Sequence, residues 1–312
     1  MSDNEYDVAI VGGGIAGLTS GLVSARAGRK TRVLTGGMLG GHLLSIERID
    51  GYPSFPDGIP GFDLCPMVME QATAAGAELA ATEVKQLHAH DGRWHVTTGE
   101  GELWARAVVI ATGTTLKALD VPGEARLRGK GVRHCATCDG PLLRKRVVGV
   151  VGVVGGGDSA LKEALTLAQC ASRVIILHRG GTLSVQTAYR ERVTSKIEIR
   201  FNTIVEEMVG DTVLTGVRTR TLDGTTAELE LAGLFVYVGL KPNTAWLDGA
   251  LDLDLSGRIP IDGALRCHLT GLFAAGTIRS GSAGRAASAA GDGATAAVAA
   301  DRYLTDGAWR ES

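Results

Sequence analysis

The sequence predicts an α/β fold built around two strand–glycine-turn–helix units. Gly12-Gly13-Gly14-Ile15-Ala16-Gly17 follows an apolar run at 6–11 and opens a helical pattern. Gly155-Gly156-Gly157-Asp158-Ser159-Ala160 repeats that context after a longer apolar run at 147–154. The chain has 312 residues, 45% of them hydrophobic, with 44 glycines, which suits about two domains of roughly 100–200 residues each.

In chain order, residues 6–11 read as a buried parallel strand and 18–27 as the body of a helix. Between them Gly12 permits a tight turn, Gly14 lets backbone approach a pyrophosphate, and Gly17 lets helix and strand pack closely. Ile15 and Ala16 complete a helix start whose positive end faces the phosphates. A second strand at 31–35 ends without the carboxylate that usually holds an adenosine ribose, so backbone or Thr35 must serve there. Gly40 and Gly41 permit close approach to a flat ligand. His42, beside Leu43, reads either as a hydrogen-bonding partner for the ligand's edge or as a surface loop residue. Residues 61–76 are helical by pattern, and 84–87, 94–98 and 103–107 alternate as strands of a small antiparallel sheet. The apolar strand 107–110 runs into Ala111-Thr112-Gly113, small residues where the chain passes a cofactor or simply exits a strand.

Residues 116–122 read as an exit from the first domain. After the second glycine turn come a helix at 161–170 and a strand at 173–177 that ends in His178-Arg179. A cation at this position favours a 2′-phosphate over a bare hydroxyl, hence NADPH over NADH. Strands are expected at 197–207, 212–221 and 227–238, a tight exit at Gly239, and an apolar strand at 271–277 containing Gly276 and Thr277. An alanine-rich helix over 286–304 follows, its small residues suited to packing against a cofactor or another helix. The repeated Gly-Val-Val over 149–154 leaves the second apolar strand's register open.

The chemistry-bearing stretch is Cys135-Ala136-Thr137-Cys138-Asp139-Gly140. Two cysteines three apart at a helix start can close and reopen a small-ring disulfide, and a helix start lowers a thiol pKa. Asp139 can carry the accompanying proton. Half of a zinc site is the alternative, but Cys65, Cys170 and Cys267 are isolated in sequence, so no metal is expected. A formal net charge of −2 gives no strong pull toward nucleic acid or anionic membrane. No apolar run approaches the ~18 residues of a membrane span, and the acidic, polar start lacks the pattern of a secretory leader. A cytoplasmic protein is expected.

Laid out together, these residues resemble the low-molecular-weight thioredoxin reductases. The likeness covers nearly the whole chain and rests on 12–17, 40–43, 111–113, 135–140, 155–160, 239–244 and 273–276, in that family's order and spacing. It implies an FAD domain from both chain ends (1–115 and 249–312) with an NAD(P) domain (116–248) inserted between them. The implied FAD contacts are Gly12, Gly14, Ile15, Ala16, Gly17, Thr35, Gly40, Gly41, His42, Leu43, Val84, Ala111, Thr112, Gly113, Gly276, Thr277, Arg285 and Ala286. The implied NADPH contacts are Gly155, Gly157, Asp158, Ser159, Ala160, His178, Arg179 and Gly239. Cys135, Cys138 and Asp139 are the implied catalytic set, a homodimer the implied assembly, and a thioredoxin-like protein the implied partner. Three departures stand out. The family's His-Arg-Arg-x-x-x-Arg becomes His178-Arg179-Gly180-Gly181-Thr182-Leu183-Ser184, its Gly-Asp becomes Gly276-Thr277, and its Arg-Gln becomes Arg285-Ala286. The layout implies that the inserted domain rotates on hinges near 114–118 and 243–248. The competing expectations are a dithiol oxidase that passes electrons to oxygen, a reductase with another donor or partner, and a non-enzymatic redox sensor or scaffold.

Overall fold

The first apolar run forms β1 (Glu5–Val11) and is followed by α1 (Ile15–Arg26) and β2 (Thr31–Leu34). A computed structural model describes residues 4–37, 39–144, 147–151, 156–247, 249–307 and 309. Next come α2 (Gly61–Ala74), β3 (Glu78–Ala80), β4 (Val84–His90), β5 (Arg93–Thr98), β6 (Glu102–Ile110) and β7 (Thr114–Leu116). A second group comprises α3 (Glu124–Leu127), β8 (Val132–Arg133), α4 (Ala136–Asp139), β9 (Val147–Val151), α5 (Asp158–Leu167), β10 (Arg173–Leu177), α6 (Thr187–Arg190) and β11 (Ile197–Arg200). It continues through β12 (Thr203–Val209), β13 (Gly216–Thr221), β14 (Thr226–Glu230) and β15 (Gly233–Val236). The chain closes with β16 (Leu240–Pro242), β17 (Leu272–Ala274) and α7 (Ala286–Asp306).

These elements fall into two compact units, Met1–Thr115 with Lys241–Ser312, and Leu116–Leu240. The sequence reading placed the return crossing at 248–249. The division lies earlier because β16 pairs with β7, so the two crossings form one short ribbon. A left-handed glycine enters each of its strands: Gly113 at φ +64° and Gly239 at φ +111°.

The first unit holds a seven-stranded sheet in the order β3-β2-β1-β6-β5-β4, with β17 also on β6. Over residues 8–11 β1 alternates its side chains between two cores: Val8 and Ile10 pack with α1 and α7, while Ala9 and Val11 pack on the opposite side. That alternation is the period-two signature of a sheet buried on both faces. The expected small antiparallel sheet is not separate. The stretches read as two strands, 103–107 and 107–110, are one strand, β6. It pairs antiparallel with β5 through Trp94↔Ala105 and parallel with β17 through Phe273↔Val109, while β1 runs along its other edge. Sequence pattern alone does not reveal that one strand serves two neighbours.

The second unit holds a five-stranded sheet, β11-β10-β9-β15-β8, and a three-stranded meander, β12-β13-β14. The strand expected over 197–207 is broken in two. Asn202 adopts a left-handed φ of +52° between β11 and β12, a conformation that asparagine tolerates better than most residues. Likewise 227–238 divides into β14 and β15. The end of the Gly-Val-Val repeat and Gly155 lie outside the described residues.

Candidate active site and nucleotide cradles

In the first unit, Gly12 has φ +122°, and a Cβ there would stand 2.3 Å from the Ala111 carbonyl oxygen. A Cβ on Gly17 would stand 1.9 Å from the Gly12 carbonyl oxygen. Both positions therefore require glycine for backbone reasons. Gly14 differs. Its φ is −76°, it caps α1 without a side-chain partner, and nothing lies within 4 Å of where its Cβ would be. The space in front of the α1 N-terminus is thus open, and Ile15, Ala16 and Gly17 begin the helix behind it. Gly40 donates to the Gly13 carbonyl at 2.7 Å, which sets Gly40 and Gly41 beside this turn. His42 and Leu43 lie on the following 3-10 turn, Gly41–Ser45, with His42 exposed.

Thr35 lies at the end of β2, buried, and its hydroxyl donates to the Ala80 carbonyl at 3.2 Å. That bond leaves its oxygen lone pairs, not its proton, for a ligand. Val84 opens β4 and is half-buried. On the far side of β1, Thr112 and Asn243 exchange hydrogen bonds: Thr112 Oγ1 donates to the Asn243 carbonyl at 3.0 Å, and Asn243 Nδ2 returns one to the Thr112 carbonyl at 2.8 Å. Asn243 N also donates to the Gly113 carbonyl at 3.0 Å. Thr277 Oγ1 is 3.1 Å from the Thr114 hydroxyl. Arg285 is exposed and caps α7, which Ala286 begins.

Asp292 was not singled out from the sequence. It is 8% exposed, accepts from Gly276 N at 3.1 Å, and receives Arg279 Nε and Nη2 at 2.7 Å each. It thereby fixes the 276–279 turn. An acid set within the Ala/Gly stretch 286–300 is the signal that the sequence offers.

In the second unit, Gly157 caps α5 with open space at its Cβ position, matching Gly14. Asp158 accepts from Gln186 N at 2.8 Å and from its Nε2 at 2.5 Å, so its carboxylate ties the helix start to the 186 loop. Ser159 is exposed and Ala160 buried. His178 is 2% exposed, and its Nε2 lies 2.9 Å from the Thr182 carbonyl. The ring therefore braces its own loop instead of facing outward. Arg179 is exposed, with no hydrogen bond or ion pair among the described residues. Arg190, on α6, donates to the Leu183 carbonyl at 3.1 Å. Gly239 lies at the start of the return ribbon, its carbonyl accepting from Lys117 N at 2.9 Å.

The sulfur pair stands at the start of α4. Cys135 and Cys138 are joined by a disulfide with Cα atoms 5.4 Å apart. Cys135 is half-buried and its Sγ accepts from Cys138 N at 3.2 Å, while Cys138 is exposed. Cys65, Cys170 and Cys267 are free thiols. Asp139 is ion-paired with Arg133, the residue that ends β8. Nothing in a linear pattern announces that the Arg133 side chain turns back along the motif.

A disulfide beside a carboxylate, in a unit that also opens a glycine-led helix start, can carry out thiol–disulfide exchange. The open spaces before α1 and α5 fit pyrophosphate groups, since helix starts present unfilled N–H donors and a positive end. FAD would be held by the first of these and a nicotinamide dinucleotide by the second.

A family profile described as "Pyridine nucleotide-disulphide oxidoreductase" matches residues 6–293. A thioredoxin reductase of Treponema pallidum is 38% identical over 306 residues, spanning 97% of this chain and 98% of that protein. Among solved structures, the thioredoxin reductase of Lactococcus lactis superposes with a TM-score of 0.92 at 32% identity, covering 96% of this chain and 99% of that one. The thioredoxin reductase of T. acidophilum gives 0.91 at 32% identity, covering 98% and 99%.

Proposed function

Because the chain belongs to the pyridine nucleotide-disulphide oxidoreductase family and stands there among the thioredoxin reductases, we propose that it moves electrons from NADPH through FAD to the Cys135–Cys138 disulfide and on to a thioredoxin-like protein. The observation that carries this reading is the disulfide at the head of α4, in the same unit as the open helix start at Gly157. When bound, the flavin supplies a two-electron relay between nicotinamide and sulfur.

The chain's own residues do the rest. Gly12, Gly14 and Gly17 bring backbone against one pyrophosphate; Gly157 and Ser159 do so for the other. Thr35, Gly40, Gly41, His42, Leu43, Val84 and the 111–113, 276–277 and 285–286 turns orient the first cofactor. Two electrons and two protons open the Cys135–Cys138 bond to a dithiol. One thiolate then attacks the partner's disulfide and forms a mixed disulfide. The second sulfur displaces the partner as a dithiol and closes the Cys135–Cys138 bond again. Asp139, steadied by Arg133, holds the proton exchanged at the sulfurs. A homodimer belongs to the same reading, supported by the exposed apolar side chains of Phe62 and Met67 on α2. Among the described residues no helix is long and apolar enough to cross a membrane.

Anaerobic titration tests the scheme. NADPH should bleach the flavin, and Cys138→Ser should keep that bleaching while abolishing reduction of a thioredoxin disulfide. Disulfide turnover retained in that variant would eliminate it. One observation favours a second reading in which the electron donor differs: with His178 turned inward, Arg179 is the cation left facing out of the 178–184 segment. Flavin bleaching by NADH or a dithiol, but not by NADPH, would select that reading.

A further inference from the structure

Both peptide groups that flank Cys135 are held by one pair of side chains. The Ala136 N–H, immediately after Cys135, donates to Glu163 Oε2 at 2.9 Å. The His134 carbonyl, immediately before it, accepts from the Tyr237 hydroxyl at 3.0 Å. The same hydroxyl lies 3.0 Å from Glu163 Oε2 and shares its proton with that oxygen, which closes a ring of contacts around the Cys135 backbone. The sheet dictates this arrangement. β15 pairs parallel with β8 through Phe235↔Arg133, so two residues further on Tyr237 comes alongside Cys135. Glu163 reaches the same point from α5. Tyr237 is 8% exposed. Burial, then Glu163 beside it, then the Asp139 charge push its phenol well above the ordinary tyrosine value, so the hydroxyl remains a donor.

We propose that Glu163 and Tyr237 are positioning residues that keep the Cys135–Cys138 pair strongly reducing. The argument is electrostatic. Reducing the disulfide adds two electrons, and any sulfur that does not also take a proton becomes a thiolate. A thiolate at Cys135 would stand one peptide from the Glu163 carboxylate, and like charges in a partly desolvated site disfavour each other. Glu163 also occupies the Ala136 N–H, a donor that would otherwise favour negative charge on the sulfur. Among the described residues, Arg133 and Asp139 also stand at the motif and pair with one another. A dithiol pair becomes a strong oxidant when its reduced form is stabilised. Here a thiolate at Cys135 would keep the Cys138 N–H but lacks the Ala136 N–H and faces the Glu163 carboxylate, which makes the pair a better electron donor to a partner disulfide than the helix start alone would.

The inference rests on the reading of Cys135–Cys138 as a reversible pair, but its test uses neither nicotinamide nor protein partner. The full-length flavoprotein, Glu163→Gln and Tyr237→Phe are equilibrated anaerobically across dithiothreitol and glutathione redox buffers. Thiols are then trapped with a maleimide, and the Cys135–Cys138 dithiol fraction is read by peptide mass. Gln can still accept from Ala136 N–H but carries no charge. Its disulfide should be about tenfold easier to reduce, which is roughly 30 mV for a two-electron couple. Tyr237→Phe should move the midpoint the same way by two- to threefold, because Glu163 loses the donor that steadies its charge. A merely structural role would lower the melting temperature and leave the midpoint alone. Midpoints within a factor of 1.5 of the parent in whichever variants fold would overturn the proposal while leaving the reductase reading intact. A parent pair that never cycles in any buffer would overturn both.

Discussion

Gly12 and Gly14 stand two residues apart in one turn, yet alanine at each has a different consequence. At Gly12 the added methyl meets the Ala111 carbonyl, and φ is +122°. Strain of about 1–3 kcal/mol adds to overpacking of about 1–3 kcal/mol, so Gly12→Ala should lose about 2–6 kcal/mol in urea unfolding. Gly14→Ala places its methyl in open space, so its folding stability should change by under ~0.5 kcal/mol while the flavin-loaded fraction falls. The ratio of flavin to protein absorbance separates the two outcomes. At the same scale, burial pushes the Cys65 thiol up to about 11. Burial, with Asp262 nearby, pushes Cys267 up to about 12. A raised folded pKa means that native stability is complete below the unfolded thiol value, near 8.5, and drains away as pH climbs toward 11 or 12. Cys267→Ala should therefore flatten the fall in unfolding free energy between pH 8 and 10.5 by roughly 2 kcal/mol, whatever its cavity does at neutral pH.

Among the elements, α7 is the clearest case of sequence dictating packing. Its small residues were expected to lie against a cofactor or another helix, and the neighbour is α1. A Cβ on Gly293 would stand 2.1 Å from the Ala16 carbonyl oxygen. Gly293→Ala should force the helices apart at a cost of about 1–3 kcal/mol. It should also speed flavin release, since Ala16 belongs to the α1 start; fluorescence of freed flavin on dilution measures this. Strands, helices and both glycine turns were legible because each is a local signal: an apolar run, a glycine, a helical period. What a linear pattern does not show is which side chains meet. Arg133 turns back along the motif to Asp139, Asp292 on α7 meets Arg279 and Gly276, and Glu163 from α5 meets Tyr237 where β15 lies beside β8. The break at Asn202 was missed because a tolerated left-handed asparagine leaves little trace in an apolar pattern.

For the molecule as a whole, the division into Met1–Thr115 with Lys241–Ser312 and Leu116–Leu240 places both crossings in the β7–β16 ribbon. If the inserted unit turns during catalysis, its freedom resides in Gly113 and Gly239, whose positive φ values suit glycine. Gly113→Ala combined with Gly239→Ala should slow multiple turnover about tenfold. The Cys135–Cys138 midpoint in thiol buffers should stay where it was, because the sulfur site lies wholly within one unit. Stopped-flow comparison of the first and later turnovers checks this. Ribbon pairing has another outcome. Paired strands run about 4.8 Å apart, so the inserted segment leaves and re-enters its host at practically one point. Such a segment is a natural cassette: its two ends could be ligated into a free-standing circle, or a foreign module grafted onto the same two stubs, without the host having to stretch.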